Sequence, residues 1–137
     1  LPDAHFVAPN GPEVCEVNPY GFQWFSLLNR DPEVMMAGAR KAEAVLNQFL
    51  DHTLDTLELN DSALALVGFS QGTMLSLHTA LRRPQAMAAV AGFSGALLGA
   101  DVLESQIKSR PPVCLVHGAL DDVVPYASMA RAEAALK

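Results

Sequence analysis

Cysteine, positive charge and long apolar runs are all scarce in this sequence. Its 137 residues include two cysteines, and nine Lys and Arg against fifteen Asp and Glu. So few cysteines favour a reduced, cytoplasmic protein over a disulfide framework, with Cys15 in a loop and Cys114 buried, and no Cys/His spacing predicts a metal site. The acidic balance, without a Lys/Arg cluster, argues against nucleic acid as a partner. Because no apolar run approaches the ~20 residues that cross a bilayer, we do not expect an integral membrane protein.

The apolar residues, half of the total, fall into segments that alternate between strand and helix patterns. Asp31 followed by Pro32 predicts a helix start, and apolar residues near the helical period continue this helix to about Leu57. Further helices are predicted over residues 71–81 and from Pro125 onward. Strands are predicted at residues 5–8, 63–69, 86–93 and 113–116.

This alternation predicts an α/β fold with a mostly parallel sheet flanked by helices. The length suits one domain over residues 1–137. The uninterrupted apolar run at residues 63–69 indicates a strand that is covered on both faces.

The segment Gly68-Phe69-Ser70-Gln71-Gly72 joins the second predicted strand to the helix after it. A sharp strand-to-helix turn exposes a serine oxygen beside the amides of the helix N-terminus. We expect glycine at both ends because a Cβ at either place would collide in so tight a turn. Ser70 is therefore predicted to be a nucleophile, and the backbone N–H of Gln71 to donate to an oxyanion. The alternative is an ordinary turn with a spectator serine.

Two acidic residues follow the last predicted strand. The carboxyl ends of parallel strands gather catalytic groups, so Asp121 is predicted to orient a catalytic base. Asp122 lies nearer to Pro125 and is expected to cap the final helix. The alternative is that helix capping is the whole role of this acidic pair.

These segments together resemble a known family. Gly68-Phe69-Ser70-Gln71-Gly72 and His117-Gly118-x-x-Asp121-x-x-Val124-Pro125 look like the phospholipase/carboxylesterase family of α/β-hydrolases, which includes the acyl-protein thioesterases. Phe6-Val7-Ala8-Pro9 and Gln23-Trp24-Phe25-Ser26 are similar to two further family segments. The resemblance implies an α/β-hydrolase fold with Ser70 as nucleophile, Asp121 as the acid of a catalytic triad, and no metal or organic cofactor.

The sequence indicates the residues that contact substrate less clearly than it indicates the nucleophile. Trp24 is a candidate because of the family's Trp-Phe loop, and Phe25 and Met74 supply apolar area that suits an acyl group. The stronger alternative for Phe25 and Met74, as for Phe69 and Phe93, is that they are core residues.

The sequence offers no convincing catalytic histidine. In this fold the triad runs serine, acid, histidine, yet no histidine follows Asp121. His78 lies eight residues after Ser70 on the same predicted helix, about 12 Å away, which is beyond the reach of a base. His117 matches a structural position of the family. His5 and His52 are expected to be packing or surface residues.

The expected function is therefore that of a hydrolase fragment. We predict that the parent protein is a serine hydrolase that cleaves carboxylic esters or thioesters. The resemblance implies a second oxyanion donor, on a Gly-rich loop after an earlier strand, which these residues lack together with the base. We therefore expect these residues alone to be weakly active or inactive. Apolar sheet surface left open by missing segments would favour homo-oligomers. The alternatives are a non-catalytic module that binds an acyl ligand or another subunit, and a serine peptidase of the same fold.

Overall fold

A computed structural model describes residues 3–137 of the chain. Its first two strands form an antiparallel hairpin, and a long helix then leads into three strands separated by helices. The strands are β1 (Glu13–Cys15), β2 (Asn18–Gln23), β3 (Ala65–Phe69), β4 (Ala89–Phe93) and β5 (Val113–Val116). The helices are α1 (Pro32–Thr56), α2 (Gln71–Ala80), α3 (Leu103–Gln106) and α4 (Ala127–Leu136), with a 3₁₀ turn at Asp61–Ala63 before β3.

The central sheet is parallel, in the order β3-β4-β5. Its register aligns Phe69 with Phe93, and Phe93 with Val116. The three carboxyl ends are therefore level, and the residue that follows each strand lies at the same edge of the sheet. These residues are Ser70, Ser94 and His117.

Helix α1 begins as the sequence predicts. The Asp31 carboxylate accepts hydrogen bonds from the backbone N–H groups of Glu33 and Val34, and Pro32 takes the first helical position, where no N–H is needed. Its apolar side chains recur at helical spacing and are buried as one stripe. The members of this stripe are Met35, Met36, Ala39, Ala42, Leu46, Leu50 and Leu54.

Helix α2 lies between this stripe and the sheet, and every residue from Thr73 to Ala80 is buried. Met129 and Ala132 of α4 line a small gap together with Thr73 and Leu115, so α4 covers the same side of the sheet. The main core is therefore formed between α1, α2 and one sheet face.

The opposite sheet face is uncovered within residues 3–137, which corrects the expectation that the strand at residues 63–69 is covered on both sides. Val67 is 74% exposed and Phe69 is 72% exposed, while the alternate residues Leu66 and Gly68 face the helices. We call this surface the open sheet face; it consists of Ala65, Val67, Phe69, Ala89, Ala91, Phe93, Cys114 and Val116.

Several predicted boundaries are also corrected. Residues 5–8 form no strand and are exposed. The segment expected to be a loop contains the β1-β2 hairpin, so Cys15 lies on a strand, and Cys114 is exposed on β5 instead of buried. β3 and β4 each begin two or three residues later than predicted. Within residues 3–137, no helix is both long and apolar enough to cross a membrane.

Candidate active site

Ser70 sits on a strained turn between β3 and α2. Its backbone has φ 51° and ψ −113°, in the positive-φ region that non-glycine residues rarely occupy. The Ser70 N–H donates to the Phe93 carbonyl at 2.8 Å, which fixes the turn against β4. Among residues 3–137 the Ser70 side chain makes no capping hydrogen bond to α2. Its hydroxyl is therefore available to react at the carboxyl edge of the sheet.

The two glycines of the turn differ in the space around them, whereas the sequence predicted that a Cβ at either position would collide with the backbone. A Cβ on Gly68 would overlap the backbone of Gly72 and Thr73. A Cβ on Gly72 would meet nothing within 4 Å among the described residues. Only Gly68 is thus required by the close approach of the strand to the helix.

Gln71 is the first residue of α2, so its backbone N–H has no acceptor within the helix. This N–H adjoins Ser70, as the predicted oxyanion donor must. The Gln71 side chain makes two further contacts. Its Oε1 accepts from the Trp24 N–H at 2.8 Å, and its Nε2 donates to the Phe25 carbonyl at 2.7 Å.

The three candidate substrate contacts occupy different environments. Trp24 is partly buried in the loop that Gln71 binds. Phe25 is 3% exposed and Met74 is 6% exposed, and both belong to the main core. Their burial is explained by packing, and a role for them in binding substrate stays a prediction.

Asp121 lies in the loop after β5, at the same sheet edge as Ser70. Its Oδ1 accepts hydrogen bonds from the N–H groups of Val123 and Val124, at 3.0 and 2.9 Å. The pKa of the Asp121 carboxyl is lowered, chiefly by the Val124 N–H and further by Val123, the Ser94 side chain and His117. An ionised carboxylate with one oxygen fixed by the backbone suits a residue that orients a histidine.

The division of roles within the acidic pair differs from the expectation. Asp121, not Asp122, satisfies the N–H groups that precede α4, and among the residues that the structure describes no side chain caps α4 itself. Asp122 is exposed. Asp121 combines the turn-fixing role with a position that also suits the triad acid, which stays a prediction.

The two histidines nearest to these residues are both engaged elsewhere. His117 Nε2 lies 2.7 Å from the Val124 carbonyl oxygen and 3.5 Å from Asp121 Oδ2. His117 follows β5, two strands from Ser70, so roughly 10 Å of sheet separates their backbones. His78 is fully buried in α2 and its Nε2 lies 3.1 Å from Glu43 Oε2.

Sequence reasoning missed two features of this site. Ser94 occupies the edge position between Ser70 and His117, has φ 46°, and its side chain contributes to the lowered pKa of Asp121. The other feature is the link from the Gln71 side chain to the Trp24–Phe25 loop. Both depend on contacts between segments far apart in sequence. One signal could have drawn attention to Ser94: Phe93-Ser94 at the end of the third predicted strand repeats the Phe69-Ser70 pattern.

A serine on a strained turn after β3, with a carboxylate in the loop after β5 at the same edge of a parallel sheet, is the arrangement of an α/β-hydrolase fold, here incomplete. A sequence profile of the phospholipase/carboxylesterase family matches residues 1–137. The chain belongs to this family, which confirms the resemblance seen in its motifs.

Two curated proteins illustrate its relatives. Esterase YpfH of Escherichia coli (strain K12) is 28% identical over 139 residues, which cover 99% of this chain and 57% of that protein. Acyl-protein thioesterase 1 of Emericella nidulans is 27% identical over 138 residues, covering 88% of this chain and 57% of that protein.

Solved structures agree on the fold. The crystal structure of esterase PE8 matches with a TM-score of 0.91 and 44% identity, covering 96% of this chain and 62% of that one. Arabidopsis thaliana SOBER1 matches with a TM-score of 0.67 at 21% identity, covering 94% of this chain and 64% of that one, and supports the fold alone. The chain thus spans less than two thirds of the length of these relatives.

Proposed function

We propose that the protein containing this chain is a serine hydrolase that cleaves carboxylic esters or thioesters, with Ser70 as its nucleophile. The observation that carries the proposal is the Ser70 turn, which combines a positive φ, an adjacent helix N-terminus and a hydroxyl that, within the described residues, does not cap that helix. Membership of a family whose relatives include an esterase and acyl-protein thioesterases supports the same chemistry.

The proposed reaction assigns one role to each residue. Ser70 Oγ attacks the acyl carbonyl, and the Gln71 N–H donates to the oxyanion that forms. A histidine takes the Ser70 proton and passes it to the alcohol or thiol that leaves, and water then hydrolyses the acyl-serine. Asp121 orients that histidine through its Oδ2, because Oδ1 is already bound by backbone N–H groups.

We propose that this histidine lies outside the 137 residues. His78 and His117 are bound to Glu43 and to the Val124 carbonyl, and neither reaches Ser70. The 137 residues, as part of an α/β-hydrolase domain, are accordingly expected to turn over esters weakly or not at all. Removal of a triad base costs on the order of 10³-fold or more in turnover.

Two further proposals concern the cellular compartment of the protein and the self-association of the chain. Two free cysteines support a cytoplasmic protein. The open sheet face supports self-association of the isolated chain through apolar contacts.

The test is labelling by a fluorophosphonate, read by intact mass, with Ser70→Ala as the control. The protein containing the chain should gain one adduct on Ser70, and the S70A variant should gain none. It should also hydrolyse p-nitrophenyl butyrate and an S-acyl thioester. Absence of both labelling and turnover would overturn the proposal and favour a non-catalytic module that binds an acyl ligand or another subunit.

A further inference from the structure

The side chain of Gln71 joins the nucleophile turn to the loop that carries Trp24. Its amide pairs with the loop backbone through both a donor and an acceptor, at 2.7 and 2.8 Å. The partners are the Phe25 carbonyl and the Trp24 N–H, which are 46 and 47 residues away in sequence. A primary amide is well suited to this pairing because it offers N–H and C=O in one plane.

The loop is supported on other sides by packing. A Cβ on Gly11 would overlap the backbone of Gln23 and Trp24, so residue 11 lies directly against the loop. Phe25 is inserted into the core beside Gly38 of α1, where an added Cβ would lie 2.9 Å from the Phe25 Cβ. The Gln71 amide is the polar link between this packed loop and the N-terminus of α2.

We propose that Gln71 is a positioning residue as well as an oxyanion donor: its side chain fixes the Trp24–Phe25 loop beside Ser70, where the loop forms one wall of the acyl site. This inference rests on the proposed function for the role of the wall. The two roles of Gln71 are carried by different atoms. Any substitution at residue 71 except proline keeps the backbone N–H, so the side-chain role can be tested alone.

The variants are Gln71→Met, which has a similar length but cannot pair with the loop, and Gln71→Glu, which keeps the acceptor, loses the donor and adds a charge facing the Phe25 carbonyl. Gln48→Glu is the matched control, because Gln48 is exposed on α1 and makes no side-chain hydrogen bond within residues 3–137. Trp24 is the one tryptophan of the 137 residues, so its fluorescence reports on the loop directly.

The first measurement is acrylamide quenching of Trp24 in the 137-residue chain, under conditions where circular dichroism shows each variant folded. Loss of two hydrogen bonds should favour loop opening by roughly tenfold to thirtyfold. Quenching should therefore rise in Q71M and Q71E and stay unchanged in Q48E. Unchanged quenching in Q71M would overturn the positioning role, whatever the protein catalyses.

The second measurement uses the protein that contains the chain. For p-nitrophenyl octanoate, Q71M should raise KM about tenfold, whereas kcat and the labelling rate of a small fluorophosphonate should change less than about threefold. An equal loss in labelling and in both kinetic constants would show general destabilisation and contradict the proposal. If the unmodified protein is not labelled at all, the proposed function fails, while Trp24 quenching still decides whether Gln71 fixes the loop.

Discussion

At the end of β4, the backbone N–H of Phe93 donates to the side-chain hydroxyl of Thr73, at 2.9 Å. The same hydroxyl lies 2.9 Å from the Phe93 carbonyl and 2.8 Å from that of Gly68. Thr73 is 1% exposed. This single hydroxyl therefore connects β3, β4 and α2 directly beneath the Ser70 turn.

Substitution of Thr73 by valine should destabilise the fold by about 1–3 kcal/mol, because it removes a buried hydroxyl and leaves its partners unpaired. Thr73→Ser keeps the hydroxyl and loses one methyl group, so it should cost about 1 kcal/mol. Urea unfolding monitored by circular dichroism measures both. Equal losses in the two variants would contradict the role given to the hydroxyl.

Alanine substitutions should separate the two glycines of the Ser70 turn. Gly68→Ala forces a Cβ into the backbone of Gly72 and Thr73, and the turn must shift. We expect a loss of about 2 kcal/mol or more, typical of overpacking. Gly72→Ala meets open space inside α2 and should stabilise by about 0.5–1 kcal/mol, since alanine favours helix. The check is the urea midpoint of each variant, and a destabilised G72A would show that the turn tolerates no Cβ at either end.

The buried His78 and its partly buried partner Glu43 should make stability depend on pH. Burial, with the nearby Arg82 and Arg40 cations, lowers the pKa of His78 from 6.5 to about 4. The imidazole is therefore neutral in the folded protein at pH 7, and Nε2–H donates to Glu43. Nδ1 has no hydrogen-bond partner among the described residues.

The sign of the effect follows from this lowered pKa. Above pH 6.5 His78 is neutral in both states and its contribution is complete. As the pH falls from 6.5 towards 4, the unfolded chain binds a proton that the folded chain excludes, and stability decreases. The full shift corresponds to on the order of 3 kcal/mol. Burial raises the pKa of Glu43, which opposes part of this loss.

Urea unfolding between pH 7.5 and pH 4.5 tests the pair. The unfolding free energy of His78→Gln should fall less over this range than that of the unmodified chain. His52→Gln is the control, because His52 is exposed on α1. If the unfolding free energy of H78Q falls with pH as steeply as that of the unmodified chain, the pKa of His78 does not differ between the folded and unfolded states as stated.

The open sheet face should make the isolated chain associate. Val67 and Val116 expose 74% and 49% of their surface on this face. Val67→Thr combined with Val116→Thr should lower the apparent molecular mass in light scattering, because it removes apolar surface without changing β propensity greatly. Val45→Thr on α1, where Val45 is 42% exposed, is the control. Association that is equal in all three proteins would locate the contact elsewhere.

The sequence predicted the parts of this fold that depend on local chemistry. The Asp31-Pro32 start of α1, the strand-turn-helix around Ser70 and the strand at residues 113–116 are all present. The prediction of a strand at residues 5–8 was wrong, because a short apolar run carries no information about whether a neighbouring strand is available to pair. The β1-β2 hairpin was missed because Asn18-Pro19-Tyr20-Gly21 favours a loop.

The family, the fold class and the strand-to-helix turn at Ser70 could be predicted from residue spacing and local conformation alone. Three other features became evident from the folded chain: which glycine is sterically required, which aspartate binds the Val123 and Val124 N–H groups, and what the Gln71 side chain contacts. Each of these depends on atoms brought together from segments far apart in the chain. Local patterns fix the elements, whereas close packing between elements fixes the role of each side chain.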